Sequence, residues 1–119
     1  MKFLILAATS FFLALPAMAQ EQVTAKSGEE VRVGWIGSVG ENCQTNPLPA
    51  ITPAELAKHG QIRLTEGEVQ TDTVPNCPGI KIPAIVVFYT SSPGFTGTDN
   101  FALSTGEGQP SRTYTITVQ

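Results

Sequence analysis

Four stretches of this chain alternate apolar and polar side chains residue by residue. Val31, Val33 and Trp35 interleave with Glu30, Arg32 and Gly34, and Ile62 and Leu64 with Gln61, Arg63 and Thr65. Phe101 and Leu103 alternate with Ala102 and Ser104, and Tyr114, Ile116 and Val118 with Thr113, Thr115 and Thr117. A period of two puts one set of side chains on one face of a strand; a helix would need apolar residues three and four apart. A shorter strand is expected over 22–26. The run Ala84-Ile85-Val86-Val87-Phe88-Tyr89 does not alternate. It is apolar on both faces and is therefore expected as a central strand with both sides at least partly covered, limited by Pro83 and Pro93. From Gln20 onward the chain holds 9 Val, 7 Ile and 13 Thr, with all 11 Gly and 8 of the 9 Pro. Short β-branched runs punctuated in this way predict an all-β sandwich or barrel.

One local signal competes. In 52–60, Thr52 reads as an N-cap, Pro53 as the first helical residue, Glu55 as the return half of a capping box and Gly60 as a stop. This predicts one short helix near 53–59, of one or two turns. The loops around Cys43 and Cys77 are rich in Gly, Asn and Pro. Glu66-Gly67-Glu68 reads as a turn carrying solvated charge.

The first 19 residues read as an address rather than as structure. Lys2 is a short positive region, 3–15 is apolar, and Ala17-Met18-Ala19 is a small-x-small cleavage signal. This is the pattern of a secretory signal peptide, shorter than the roughly 20 apolar residues that cross a bilayer. The expected mature chain is 20–119, a single domain with no membrane span and a bacterial periplasmic or extracellular location. It carries 6 basic and 10 acidic residues, a net charge of −4, which argues against a nucleic-acid partner bound through a basic face. In an oxidising compartment Cys43 and Cys77 are expected to form a disulfide that staples two loops.

The stretch 89–101, Tyr89-Thr90-Ser91-Ser92-Pro93-Gly94-Phe95-Thr96-Gly97-Thr98-Asp99-Asn100-Phe101, precedes a Gly-rich turn region and the last alternating strand. It resembles the C-terminal half of bacterial Ig-like and cadherin-like secreted modules. These share an aromatic strand, a Gly-Phe-x-Gly-x-Asp-x-Phe segment, a Gly-rich hairpin and a closing Thr/Val-rich strand. Lys58-His59-Gly60-Gln61-Ile62 is similar to their Pro-x-His-Gly-x-Val segment, without the proline. The resemblance implies an Ig-like antiparallel β-sandwich of about seven strands. Within it Tyr89, Phe95, Gly97, Asp99 and Phe101 form a structural loop motif. Phe95 and Phe101 would cover the core's open end, and Gly97 and Asp99 would form the turn between them. Asp99 is read as an acceptor for backbone N–H groups; the competing role is calcium ligation, for which the acidic clusters found between cadherin repeats are absent. The antibody-type order of Cys, Trp, Cys is not kept, because Trp35 precedes both cysteines. The bridge is therefore not expected to pin the two sheets, and Trp35 is expected in the core.

No catalytic, cofactor-binding or metal site is expected, and the chain is read as a non-enzyme. The single histidine, His59, reads as a solvated loop residue. Nothing matches a phosphate loop, a dinucleotide fingerprint or zinc spacing. Two functions follow. One is a secreted or periplasmic Ig-like module that binds a protein or cell-envelope component. The alternative is a small periplasmic inhibitor of a hydrolase that presents a disulfide-braced loop. A binding module should show an exposed apolar patch or an open sheet edge; an inhibitor should show a rigid protruding loop.

Overall fold

The computed structural model describes residues 20–106 and 108–119. The leader assigned to 1–19 lies outside these residues. Seven strands form: β1 (Gln20–Ala25), β2 (Glu30–Ile36), β3 (Thr52–Glu55), β4 (Gly60–Thr71), β5 (Ile80–Ser91), β6 (Gly97–Ser104) and β7 (Arg112–Val118). They make a four-stranded sheet of order β1-β7-β6-β3 and a three-stranded sheet of order β2-β5-β4. The fold is an all-β sandwich. All pairs are antiparallel except β1 with β7, which run parallel with Gln20 opposite Thr113.

The core lies between the sheets. Phe101, Leu103, Tyr114, Ile116 and Val118 come from one sheet, and Val33, Ile36, Val87 and Tyr89 from the other. Phe101 stacks on Tyr114, its cross-strand neighbour, with ring centroids 4.6 Å apart, and lies parallel to Tyr89 of the opposite sheet at 6.1 Å. The alternation read for β7 is the burial observed; in β6 Phe101 and Leu103 are buried as expected, but so is Ala102 between them.

β5 is the central strand of its sheet, and its lack of alternation has a structural reason. Near its C-terminal end Val87, Tyr89 and Ser91 are buried; near its start Ile82, Ala84 and Val86, on the opposite face, are buried. The register with β4 is unbroken over all twelve pairs, so the strand does not slip: the buried side changes between Val86 and Val87. The first half's buried face lies against the chain leaving β2, where Gly37 meets Ile82 and Ala84.

Four expectations are corrected. Pro83 does not limit β5, which starts at Ile80 and carries Pro83 opposite Glu68. The helix near 53–59 does not form. Thr52 pairs with Ser104, Pro53 with Leu103 and Glu55 with Ala102, so the segment is the edge strand β3 with an irregularity at Ala54. A capping box is a local signal worth little in so short a helix, and pairing with β6 outweighs it; Pro53 is tolerated because an edge strand needs no second row of N–H donors. Glu66-Gly67-Glu68 is not a turn but the middle of β4. Trp35 is only half-buried, because the pairing shifts between Arg32 and Gly34 and inserts Val33 as an extra residue. That bulge reverses the facing of every residue after it: Val33 stays in the core and Ile36 turns into it, while Trp35 pairs with Val86 on the other face.

Candidate functional site

The sequence motif is assembled, though not as a turn. Gly97 and Asp99 belong to β6, and the tight turn lies just before them. There Phe95 N–H donates to Ser92 O at 3.1 Å and Gly94 adopts φ +83°, a turn with Pro at its second and Gly at its third position. Asp99 is 2% exposed. Its Oδ1 accepts from Lys58 N–H at 3.1 Å and Asn100 N–H at 2.9 Å. Its Oδ2 accepts from His59 N–H at 3.0 Å and from the Tyr89 hydroxyl at 2.7 Å. Burial alone would raise the Asp99 pKa; the bonds from Tyr89, Lys58, His59 and Asn100 more than offset it and hold the carboxyl below its usual range. Tyr89 is pushed well up, first by burial and then by its bond to the Asp99 carboxylate. Both oxygens are committed to donors, which accounts for Asp99 as a structural acceptor.

This clamp joins the two sheets, since Tyr89 is on β5 and Asp99 on β6. It also fixes the 56–59 connection. His59 is exposed, with its ring stacked on Phe95 at 4.2 Å. Gly60 is required by close approach: a Cβ there would sit 2.7 Å from the Tyr89 ring and 2.6 Å from Thr90 O.

The fixed connection forms one wall of a groove. Pro53, Glu55, Leu56 and Ala57 face Ile62 and Leu64 of β4, with Leu103 at the base, around a volume of about 420 Å³. β3 and β4 are edge strands of different sheets, so the groove runs along one flank of the sandwich. The exposed large hydrophobic residues among those described, Leu56 at 72% and Leu64 at 39%, both line it. Leu56 falls in the segment expected as a helix, and Leu64 alternates with polar neighbours as an inward residue of its strand, so neither reads as exposed from the sequence.

The disulfide lies elsewhere. Cys43, in a one-turn 3-10 segment (Glu41–Cys43), is bonded to Cys77 with Cα atoms 5.7 Å apart. It joins the loop leaving β2 to the loop between β4 and β5, stapling two loops rather than a strand of one sheet to a strand of the other. The exposed stretch 40–47 carries no large apolar side chain. Searches of protein-family models, curated proteins and solved structures return no match to this chain.

Proposed function

We propose that the chain is an exported, non-enzymatic Ig-like module that binds a protein partner through the flank groove between β3 and β4. One observation carries this reading: the two exposed leucines among the described residues converge on one groove bordered by two sheet edges. Exposed apolar surface concentrated in one place marks interaction sites on soluble domains. The Ig-like part of the reading is supported by the strand partition. Lettered A to G in chain order, the strands divide into B-E-D and A-G-F-C, the immunoglobulin division with the first strand moved to the G side. Export is supported by the disulfide and by the leader pattern at 1–19. No helix among the described residues is long and apolar enough to cross a membrane.

The inhibitor reading is the weaker one, because the disulfide-braced loop offers polar residues where an interface wants aromatic or apolar anchors. The test is capture from an envelope fraction with the immobilised protein. A protein retained by the wild type and lost with Leu56→Asp supports the groove. Retention that survives Leu56→Asp but is lost when 40–47 is replaced by a Gly-Ser loop favours the inhibitor, and retention of nothing overturns both.

A further inference from the structure

We infer that the groove takes an extended peptide segment, basic and then apolar at alternate positions, that adds to the open edge of β4 as an antiparallel strand. This rests on the binding-module reading and deepens it.

β4 is twelve residues long, an edge of about 40 Å. It pairs with β5 alone, so one row of its N–H and C=O groups faces away from any strand among the described residues. Proteins blunt such edges with proline, bulges or shortness. Two of the other edges carry a proline or a bulge: β3 has four residues, Pro53 and an irregularity at Ala54, and β2 carries the Val33 bulge; the fourth edge, β1, is regular but half the length of β4. β4 has no proline and an unbroken register. It is the long straight edge, guarded only by the charge of Glu66 and Glu68, and it borders the groove.

Side-chain alternation states what the added strand must carry. Ile62, Leu64, Glu66 and Glu68 share one face of β4. The first two line the groove and the next two continue past its end, while Glu55 lines the groove from β3. None of these three carboxylates has an ion pair among the described residues; the pair seen is Arg63 with Glu30, on the other face. An antiparallel strand would meet Glu68 and Glu66 first, then Leu64 and Ile62. Its inward residues therefore read basic, basic, apolar, apolar from its N-terminus. A second copy is a poor occupant: two β4 strands crossing at Leu64 would set Glu66 on Ile62, and crossing at Glu66 would oppose two carboxylates. Opposed like charges destabilise a strand pair.

The probe is the capped peptide Lys-Thr-Lys-Thr-Val-Thr-Val-Thr, titrated into isotope-labelled protein while backbone amide shifts are followed. Saturable shifts in β4 and at Leu56 and Ala57 are expected. The reversed-order peptide and one with glutamates for the lysines should each bind at least about fivefold more weakly. Of two isomers N-methylated at alternate positions, only the one whose methyl groups face β4 should lose binding. The exposed double change Glu66→Lys with Glu68→Lys should invert the preference, favouring the glutamate peptide. No saturable shift at millimolar peptide, equal binding of both orders, or equal binding of both methylated isomers overturns the inference. Capture of a partner that persists in the double variant, together with peptide failure, sinks strand addition and leaves the proposed function standing. Peptide binding with no partner captured does the reverse.

Discussion

β5 is fastened at its two ends by different means. Before its first residue, Cys77 is covalently tied to Cys43, stapling two loops. Near its last residue, Tyr89 is tied to Asp99 of the opposite sheet by a buried hydrogen bond, and Asp99 gathers three backbone N–H groups besides. The covalent end holds loops in which Cys77 is buried but Cys43 is exposed, and Asn42, Cys43 and Asn76 all take positive φ, which non-glycine residues adopt at a cost. Its contribution acts largely through the unfolded chain, by removing loop freedom. The hydrogen-bonded end acts in the folded state, where low dielectric strengthens each satisfied bond and penalises each broken one. The difference teaches that one end tolerates changes around it and fails only when the bond goes, whereas the other is exposed to any single change in its network.

Breaking the clamp end at its packing should have the largest effect. Phe101→Ala empties the space between two parallel rings and should cost about 3–5 kcal/mol, read from chemical denaturation; a cost below that of a surface change would mean the stack is not the centre of the core. Breaking the covalent end comes next. Cys43→Ser with Cys77→Ser opens a loop of sequence separation 34 and should cost about 3–4 kcal/mol in the chain-entropy model. Hydrogen exchange should then quicken in 41–46 while the Lys58 and His59 amides keep their protection. Asp99→Ala should do the opposite, unprotecting Lys58 and His59 and leaving 41–46 unchanged, at a cost of about 2–3 kcal/mol from the orphaned Tyr89 hydroxyl and backbone donors. If both variants loosen both ends alike, the ends are one cooperative unit and the comparison fails.

Acid sharpens the same contrast. The Asp99 carboxyl lies below its ordinary value of 3.8 in the folded chain. A carboxyl with a depressed folded pKa contributes stability that is fully present above the unfolded value. That stability is lost as pH falls through the folded one. Wild type should therefore lose stability relative to Asp99→Asn below about pH 4, with the difference flat above that; a difference that does not change with acid would contradict the charged clamp. The smallest effect belongs to the exposed ion pair of Glu30 with Arg63. Glu30→Gln should leave the thermal midpoint unmoved, since exposed pairs are screened by solvent.

The parts of this molecule that were legible in the sequence are those set by residues near one another in the chain. The faces of β6 and β7 follow from alternation, and the Pro93-Gly94 turn from its dipeptide. Asp99 was recognisable as a backbone acceptor, but two of its donors, on Lys58 and His59, lie some forty residues away and no local pattern announces them. The groove was illegible for the same reason. It exists because β3 and β4 fall at edges on one flank, a fact of sheet order, and because pairing with β6 turned a helical motif into a strand. The bulge at Val33 misdirected Trp35, since one inserted residue leaves no mark in an alternating sequence.

The parallel pairing of β1 with β7 has a bearing on when this protein can fold. Gln20 meets Thr113 and Ala25 meets Val118, so the first of the described strands finds its partner only in the last of them. Such a contact spans nearly the longest possible loop, and its closure entropy must be met before any of its stabilisation is gained. A nascent chain that lacks its final residues has no docking place for β1, and its four-stranded sheet stays open at that side. Completion is thereby postponed until β7 is available to pair. Until β7 is in place, β1 and β6 have no strand between them, and one segment completes both halves of the sheet at once.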